Sequence, residues 1–389
     1  MSYIGKTPTP VPLTSSDITD GIITTTKIAD ANVTNPKLIS GSQQNFRNII
    51  INGDMSIAQR ATSVTGNTDG GYTTVDRWNT ILSTAGTYTI SQSTDVPSGQ
   101  GFANSMKFDC TTADASLAAG DNMRLQSKFE GQNLQYLKKG TSNAESLTAS
   151  FWVKSVKTGT YILELEDKDN SRKISKSYTI SSANTWEKKT ITFPADTSGA
   201  FGNDNARSLD VMFWLAAGSN FTSGTLDTSW GSTTTANRAV GQVNLSDSTS
   251  NDWYVTGIQL EAGTTASEFE FLPVDVNLQR CQRYYHLVAS GSGVNINFVS
   301  YNTASNTSSR VFLPTTMRAN PTLDITTGTG YYRAYRGGGS DDINAFLLDT
   351  SRPNYMYFYD GSTSSGTIGY SGQLNTNNSS SYLAADAEL

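Results

Sequence analysis

The sequence predicts an all-β protein, and three observations carry that prediction. Ser and Thr together make up about a quarter of the 389 residues, while charged residues contribute only 16% and aromatics 10%, a balance that suits short strands and turns rather than helical bundles or coiled coils. Apolar positions recur at every second residue in run after run. Clusters of Gly, Asn, Asp and Ser punctuate those runs at the spacing of an antiparallel sandwich. The expected order is an extended N-terminal arm with a short repeat shaft (1–45), a central jelly-roll β-sandwich (46–273), a connector (274–289) and a C-terminal β-sandwich (290–389).

The arm comes first. Pro8, Pro10 and Pro12 keep the opening residues extended, as befits a segment laid across another surface. A ten-residue repeat follows, with Ile18, Ile28 and Leu38 in step with Asp20/Asp30, Ile23/Val33, Thr24/Thr34 and Lys27/Lys37. A unit this short cannot bury its own apolar residues. Ile18, Ile23, Ile28, Val33 and Leu38 must therefore face a neighbouring unit or another chain. Asn32 and Pro36 interrupt the second of only two decads, so the shaft is short.

In the central part, Leu147, Ala149, Phe151 and Val153 share one face of a strand, as do Tyr161, Leu163 and Leu165, and Leu209, Val211, Phe213 and Leu215. These three runs are expected to form a core. The opposite phase carries Trp152 and Trp214, with Met212 beside Trp214 and Trp253 as a further member. A flat exposed indole can stack on the apolar face of a sugar ring; alternatively both faces of these strands are covered. The segment EGQNLQYLKKG (130–140) reads as one helical turn whose Lys138 and Lys139 face its C-terminus. In the turn DKDNS, Asp167, Asp169 and Asn170 supply oxygen donors suited to Ca²⁺, or simply the polar residues of a hairpin, so the metal content stays unknown.

The connector places Leu278, Cys281 and Tyr285 at helical spacing. Beyond it, NINFVSYN, SRVFLPTTMRANPTLDI, INAFLLDT and NYMYFYDG read as strands of a small sandwich. Tyr355, Tyr357 and Tyr359 alternate with Met356 and Phe358, and the tyrosines are the better outward set. YYRAYRGGGSDD reads as a Gly-terminated loop whose Tyr332, Tyr335, Arg333 and Arg336 suit a polar recognition surface.

Several classes are disfavoured. With a net charge of -6, a pI near 4.9 and no basic block, a nucleic-acid partner is not expected. The run Val211–Ala217 falls far short of the roughly 20 apolar residues of a membrane helix, so no membrane insertion is expected. The N-terminus lacks the basic-then-apolar order of a signal peptide, which predicts synthesis and folding in a cytosol. Cys110 and Cys281, 171 residues apart, read as two buried small hydrophobes. The single histidine, His286, has no nucleophile motif around it, and no cofactor-binding glycine pattern occurs. Glycoside hydrolysis needs two convergent carboxylates. Glu164, Glu166 and Asp167 fall on an outward strand phase or in a turn, where acids are ordinarily solvated. The expectation is a binding protein rather than an enzyme, with no cofactor.

MSYIGKTPTP followed by DITDGIITTTKIADANVTNPKL resembles the virion-attached arm and shaft start of tailed-bacteriophage tail fibres. INGDMSIAQR, TVDRWN, TASFWVKSVKTGTY, YVTGIQLEAGTTASEFEF and LQRCQRYYH resemble, in order, segments of fibre proteins that carry a jelly roll like that of carbohydrate-binding modules. MRANPT and AADAEL resemble the distal knob of the same proteins. The resemblance implies a homotrimer with the five decad residues around its axis. It implies attachment of residues 1–45 to a tail adaptor or nozzle protein, a virion location after assembly in the host cytoplasm, and adhesion to host lipopolysaccharide or capsule. The alternatives are a tail adaptor or decoration protein without receptor binding, and a polysaccharide depolymerase.

Overall fold

The computed structural model describes residues 46–361 and 363–389, which form one compact unit from Phe46 onward. The arm and the trimerisation residues Ile18, Ile23, Ile28, Val33 and Leu38 lie outside the described residues.

The described chain is nearly all β. In the central part, one antiparallel sheet runs in the order Ser63–Asn67, Thr87–Ser93, Ser105–Thr112, Asp252–Ala262, Leu147–Ser155 and Glu187–Phe193. The second runs Gly231–Ser232, Arg172–Ile180, Gly159–Asp167, Arg207–Ala217, Asn122–Glu130, Asn79–Ser83 and Gly70–Gly71. Strands distant in sequence lie side by side, as a jelly roll requires. The three apolar runs meet between the sheets, because each presents every second side chain to the partner sheet. Phe213 sits among Phe151, Trp253 and Trp78, with ring centroids 5.0, 5.9 and 6.4 Å away. Trp253 thus belongs to the core rather than to an outer face; it shares its phase with Val255, which also packs inward. Cys110 and Cys281 are free and buried.

The segment 130–140 differs from the expected helical turn. It forms two 3₁₀ turns, Gly131–Asn133 and Gln135–Leu137, and Lys138 closes the second in a left-handed conformation. Lys139 turns inward instead of capping a helix. Its ammonium lies 2.5 Å from Asp167 and 3.0 Å from Asp196, and donates to the carbonyls of Ser198 and Gly199 at 2.9 and 2.8 Å.

The helix Val274–Gln282 leads almost directly into the strand Tyr285–Ser290, so the distal β structure begins inside the stretch read as connector. That strand joins Tyr382–Asp386 and Thr322–Ile325 in a three-stranded sheet. Facing it is a seven-stranded sheet in the order Gly339–Ile343, Tyr332–Arg336, Ser371–Thr376, Asn295–Thr303, Asn306–Phe312, Tyr355–Asp360 and Phe346–Arg352. Val299, Tyr301, Met356, Phe358 and Leu374 fill the space between this sheet and Ala289, Leu383 and Ala385. YYRAYRGGGSDD is a hairpin here, not a loop. Arg336 pairs with Gly339 across Gly337 and Gly338, and Gly338 takes a φ of +82°, which a side chain would strain.

Jelly roll and distal sandwich are joined by buried charge. Arg77, fully buried, pairs with Glu388, donates to the Lys128 carbonyl at 2.6 Å and lies 3.4 Å over the Tyr284 ring. Glu130, also buried, accepts hydrogen bonds from Arg283 Nε and Nη2 at 2.8 and 2.7 Å and from the Tyr284 hydroxyl at 2.5 Å. Leu389 packs with the cluster of Ile51, Ile57, Cys281 and Tyr284. Burial pushes the Glu130 carboxyl up, but the hydrogen bonds and charge of Arg283, with the Tyr284 hydroxyl, outweigh it and hold the group below its ordinary value.

Removing one partner of such a pair strands the other charge in a dry site, which costs about 3–5 kcal/mol. Arg283→Ala should therefore lower stability by about 3 kcal/mol in urea denaturation at neutral pH. Because the folded Glu130 carboxyl is depressed, its contribution is complete above its ordinary value of 4.5 and is lost as pH falls through the lower folded value. The gap between parent and Arg283→Ala should accordingly close on acidification below that point; a constant gap would contradict the assignment.

Candidate functional site

The outer face of the seven-stranded distal sheet gathers most of the residues singled out from the sequence. Strand alternation turns Met356, Phe358 and Asp360 inward, so Tyr355, Tyr357 and Tyr359 stand half-buried on the outside. On the neighbouring strand Arg310 lies opposite Tyr357 and Phe312 opposite Tyr355. The Arg310 guanidinium carbon is 5.0 Å from the Tyr355 ring centroid and 5.5 Å from that of Tyr357, a cation–π contact to both. Phe312 meets Tyr355 edge-on at 6.3 Å. One strand further, Val299 and Tyr301 point inward, which leaves Phe298 outside. Phe298 is 72% exposed and Phe312 68%, far more open than a ring on a covered sheet.

The face continues to the hairpin. Gln373 pairs with both Phe298 and Tyr335, and Tyr335 is also exposed. Arg333, outward beside it, is held by Asp342 at 2.6 Å across the hairpin. Asn302 donates to the Tyr357 hydroxyl at 3.3 Å and to Ser308 at 2.8 Å, fixing the polar rim of the ring cluster. Rings whose faces are open and whose edges carry hydroxyl, amide and guanidinium groups can stack on the apolar side of a pyranose while bonding its hydroxyls.

Other candidates are placed elsewhere. Tyr332 points into the core and is fully buried, its hydroxyl shared by the carbonyls of Thr326 at 2.9 Å and Tyr382 at 2.6 Å. Sequence alone does not tell which of Tyr331 and Tyr332 faces in. Arg336 shares that inward phase; it is committed to Asp341 at 3.0 Å and to the Ser365 carbonyl at 2.5 Å.

Trp214 is on the outward phase of its strand but has no exposed surface. The segment 218–243 folds over it: Phe221 lies 5.2 Å away, and Arg124 and Arg238 stand over the ring at 4.6 and 5.3 Å. It is a structural residue, not a ligand platform. Trp152 is half-buried on the outer face of the other sheet of the jelly roll, opposite Lys188 and Thr256.

The carboxylates expected to be solvated are not. Glu164 is buried and accepts from Arg238 Nε at 3.1 Å, and Glu166 lies 3.0 Å from the same guanidinium and 2.8 Å from Lys168. Asp167 is held by Lys139, so an ammonium occupies the turn considered for Ca²⁺. Among the described residues no group of three or more His, Cys, Asp and Glu side chains is arranged to hold a metal ion. Phe298, Phe312 and Arg310 were not singled out from the sequence, although the inward phase of Val299, Tyr301 and Val311 marks each as outward.

No protein-family model matches the chain, and no curated protein matches it. Solved structures similar to it include the tailspike protein 4 enzymatically active domain of bacteriophage CBA120, at 12% identity over 56% of this chain and 21% of that one, with a TM-score of 0.30. The chain thus spans about a fifth of that domain's length. A family 61 carbohydrate-binding module in complex with β-1,4-galactotriose is 10% identical over 56% of this chain and 99% of that one, with a TM-score of 0.29. The family 11 carbohydrate-binding module of a cellulosomal cellulase from Clostridium thermocellum is 16% identical over 52% and 98%, with a TM-score of 0.25.

Two tyrosines of one sandwich separate packing from surface. Tyr332→Phe should cost about 1–2 kcal/mol in chemical denaturation, because two carbonyls lose their shared donor. Tyr357→Ser, half-buried on the outer face, should cost less, about 0.5–1 kcal/mol for the lost Arg310 contact. The reverse order would contradict the phase assignment of the sheet.

Proposed function

We propose that this chain is a tail fibre or receptor-binding protein of a tailed bacteriophage, which adheres to host-surface polysaccharide through the outer face of its distal sheet. The observation that carries the reading is a row of rings on one sheet face: exposed Phe298 and Phe312 beside half-buried Tyr355 and Tyr357, the last two held by Arg310. Large exposed rings gathered on one face are uncommon on a surface without a partner. Residues 1–45, with their decad repeat, fix the protein to a tail adaptor or nozzle protein and assemble it as a homotrimer. The jelly roll forms the body between anchor and face.

The work is reversible binding with no bond broken and no cofactor. Each stacked ring contributes about 0.5–1.5 kcal/mol, which is weak for one site. Three faces per trimer and several trimers per particle raise effective affinity about 10²- to 10⁴-fold through tethering. An acidic chain meeting a negative envelope gains nothing from long-range attraction, which favours short-range stacking and hydrogen bonding as the recognition mode.

The test is fluorescently labelled full-length protein added to intact host cells and to cells stripped of surface polysaccharide. Binding to intact cells only is expected, and the double variant Phe298→Ser, Tyr357→Ser should weaken it by more than about tenfold while the protein stays folded and trimeric by light scattering. Equal binding to stripped cells, or an unaffected double variant, would refute the reading.

A further inference from the structure

The register of the seven-stranded distal sheet draws a line across its outer face. Ser340 pairs with Tyr335, Tyr335 with Gln373, and Gln373 with Phe298. On the other side, Arg310 pairs with Tyr357 and Tyr357 with Thr350. Ser300 pairs with Ser308, and two more residues along each of those antiparallel strands set Phe298 level with Arg310. The Ser309 hydroxyl, donating to the Phe298 carbonyl at 2.8 Å, ties the two strands at that level. One outward residue from each strand of the sheet thus stands in a single row at right angles to the strands.

The row has a period. Neighbouring strands lie about 4.8 Å apart, so Tyr335, Phe298 and Tyr357, each two strands from the next, are about 10 Å apart and together span about 19 Å. Gln373 and Arg310, both exposed, fill the places between them with amide and guanidinium donors. A pyranose linked through equatorial bonds on opposite sides of its ring advances a chain by about one strand spacing. Alternate sugars of such a chain fall on the three rings, and the sugars between fall on Gln373 and Arg310. A chain linked through axial bonds is buckled and loses that step.

Charge selects among extended chains. Arg310 and Arg352 are exposed on this face and, among the described residues, neither makes an ion pair, whereas Arg333 is engaged by Asp342 at 2.6 Å. Asp349, on the edge strand, accepts from Thr350 at 3.1 Å and bonds neither arginine. In a chain of net charge -6, two guanidinium groups left over on one face complement an anionic polymer, and a guanidinium takes a carboxylate through two parallel bonds.

We infer that the distal face binds an extended, equatorially linked acidic polysaccharide lying across the strands, with alternate sugars on Tyr335, Phe298 and Tyr357 and a sugar carboxylate on Arg310. The inference rests on the reading of this face as a glycan site and adds the shape, direction and charge of the bound chain. About five consecutive sugars cover the row from Tyr335 to Tyr357.

Calorimetric titration of the full-length protein tests this with four probes: hexamers of β-1,4-linked mannuronate, of α-1,4-linked guluronate and of β-1,4-linked glucose, and the mannuronate dimer. The first is extended and acidic, the second buckled and acidic, the third extended and neutral. The mannuronate hexamer should bind, and each of the other three should bind about tenfold more weakly or worse. Tyr335→Ser, at the end of the row and outside the ring cluster, should weaken the hexamer about three- to tenfold, the worth of one stacked ring. Arg310→Gln should erase the preference for mannuronate over glucose. No binding of the mannuronate hexamer, equal or tighter binding of any other probe, parent-like binding by Tyr335→Ser, or an unchanged preference in Arg310→Gln would overturn the inference. Each of these results leaves the distal-face reading standing as long as Phe298→Ser, Tyr357→Ser still weakens binding to intact cells; an unaffected double variant refutes both.

Discussion

Arg77 and Glu388 can be buried together only because each neutralises the other, and this pair governs how the rest of the molecule is held. One comes from the jelly roll and the other from the end of the distal sandwich. Glu130 and Arg283 repeat the arrangement nearby, with the Tyr284 hydroxyl completing the carboxylate's shell. A hydrophobic seam would tolerate sliding, since dispersion contacts are not directional. Arg283 grips Glu130 with two nitrogens, and a bidentate guanidinium–carboxylate pair fixes register as well as contact. The described residues accordingly make one compact unit although they contain two separate cores.

The distal face depends on that constraint. Its strands are kept in register by inward side chains, and the three-stranded sheet beneath it is the same sheet whose last strand runs on into Glu388 and Leu389. The rings outside are therefore borne on a sheet rather than on loops, and Arg310 limits the rotation of two of them. A face ordered before binding loses less conformational entropy when a ligand settles on it. The carboxylates of the jelly roll serve a different purpose: Glu164 and Glu166 neutralise Arg238 under the segment that covers Trp214.

Much of this was legible in the sequence, for a definite reason. Period-two alternation reports which side chains share a face, and it placed Leu147, Phe151, Leu163, Phe213, Met356 and Phe358 inside without knowledge of pairing. It does not report whether the other face is open. Trp214 has the outward phase and is nonetheless buried, because residues 218–243 return over it from elsewhere in the chain. Lys139 was misread for the same reason: its partners Asp167 and Asp196 are tens of residues away. The hairpin at 332–343 was missed because three consecutive glycines look like a loop, whereas two of them make the tight turn. Phe298 and Phe312 were within reach, since their neighbours' phase already marked them as outward.

The central claim is that the distal rings, and not the jelly roll, meet the host glycan. Hydroxyl-radical footprinting of the full-length protein with and without polysaccharide purified from host cells addresses it directly, since exposed aromatic side chains label readily. The account predicts protection of Phe298, Phe312, Tyr355 and Tyr357 on adding polysaccharide, with Trp152 unchanged. Unaltered labelling of those four rings alongside protection of Trp152 and its sheet would contradict it.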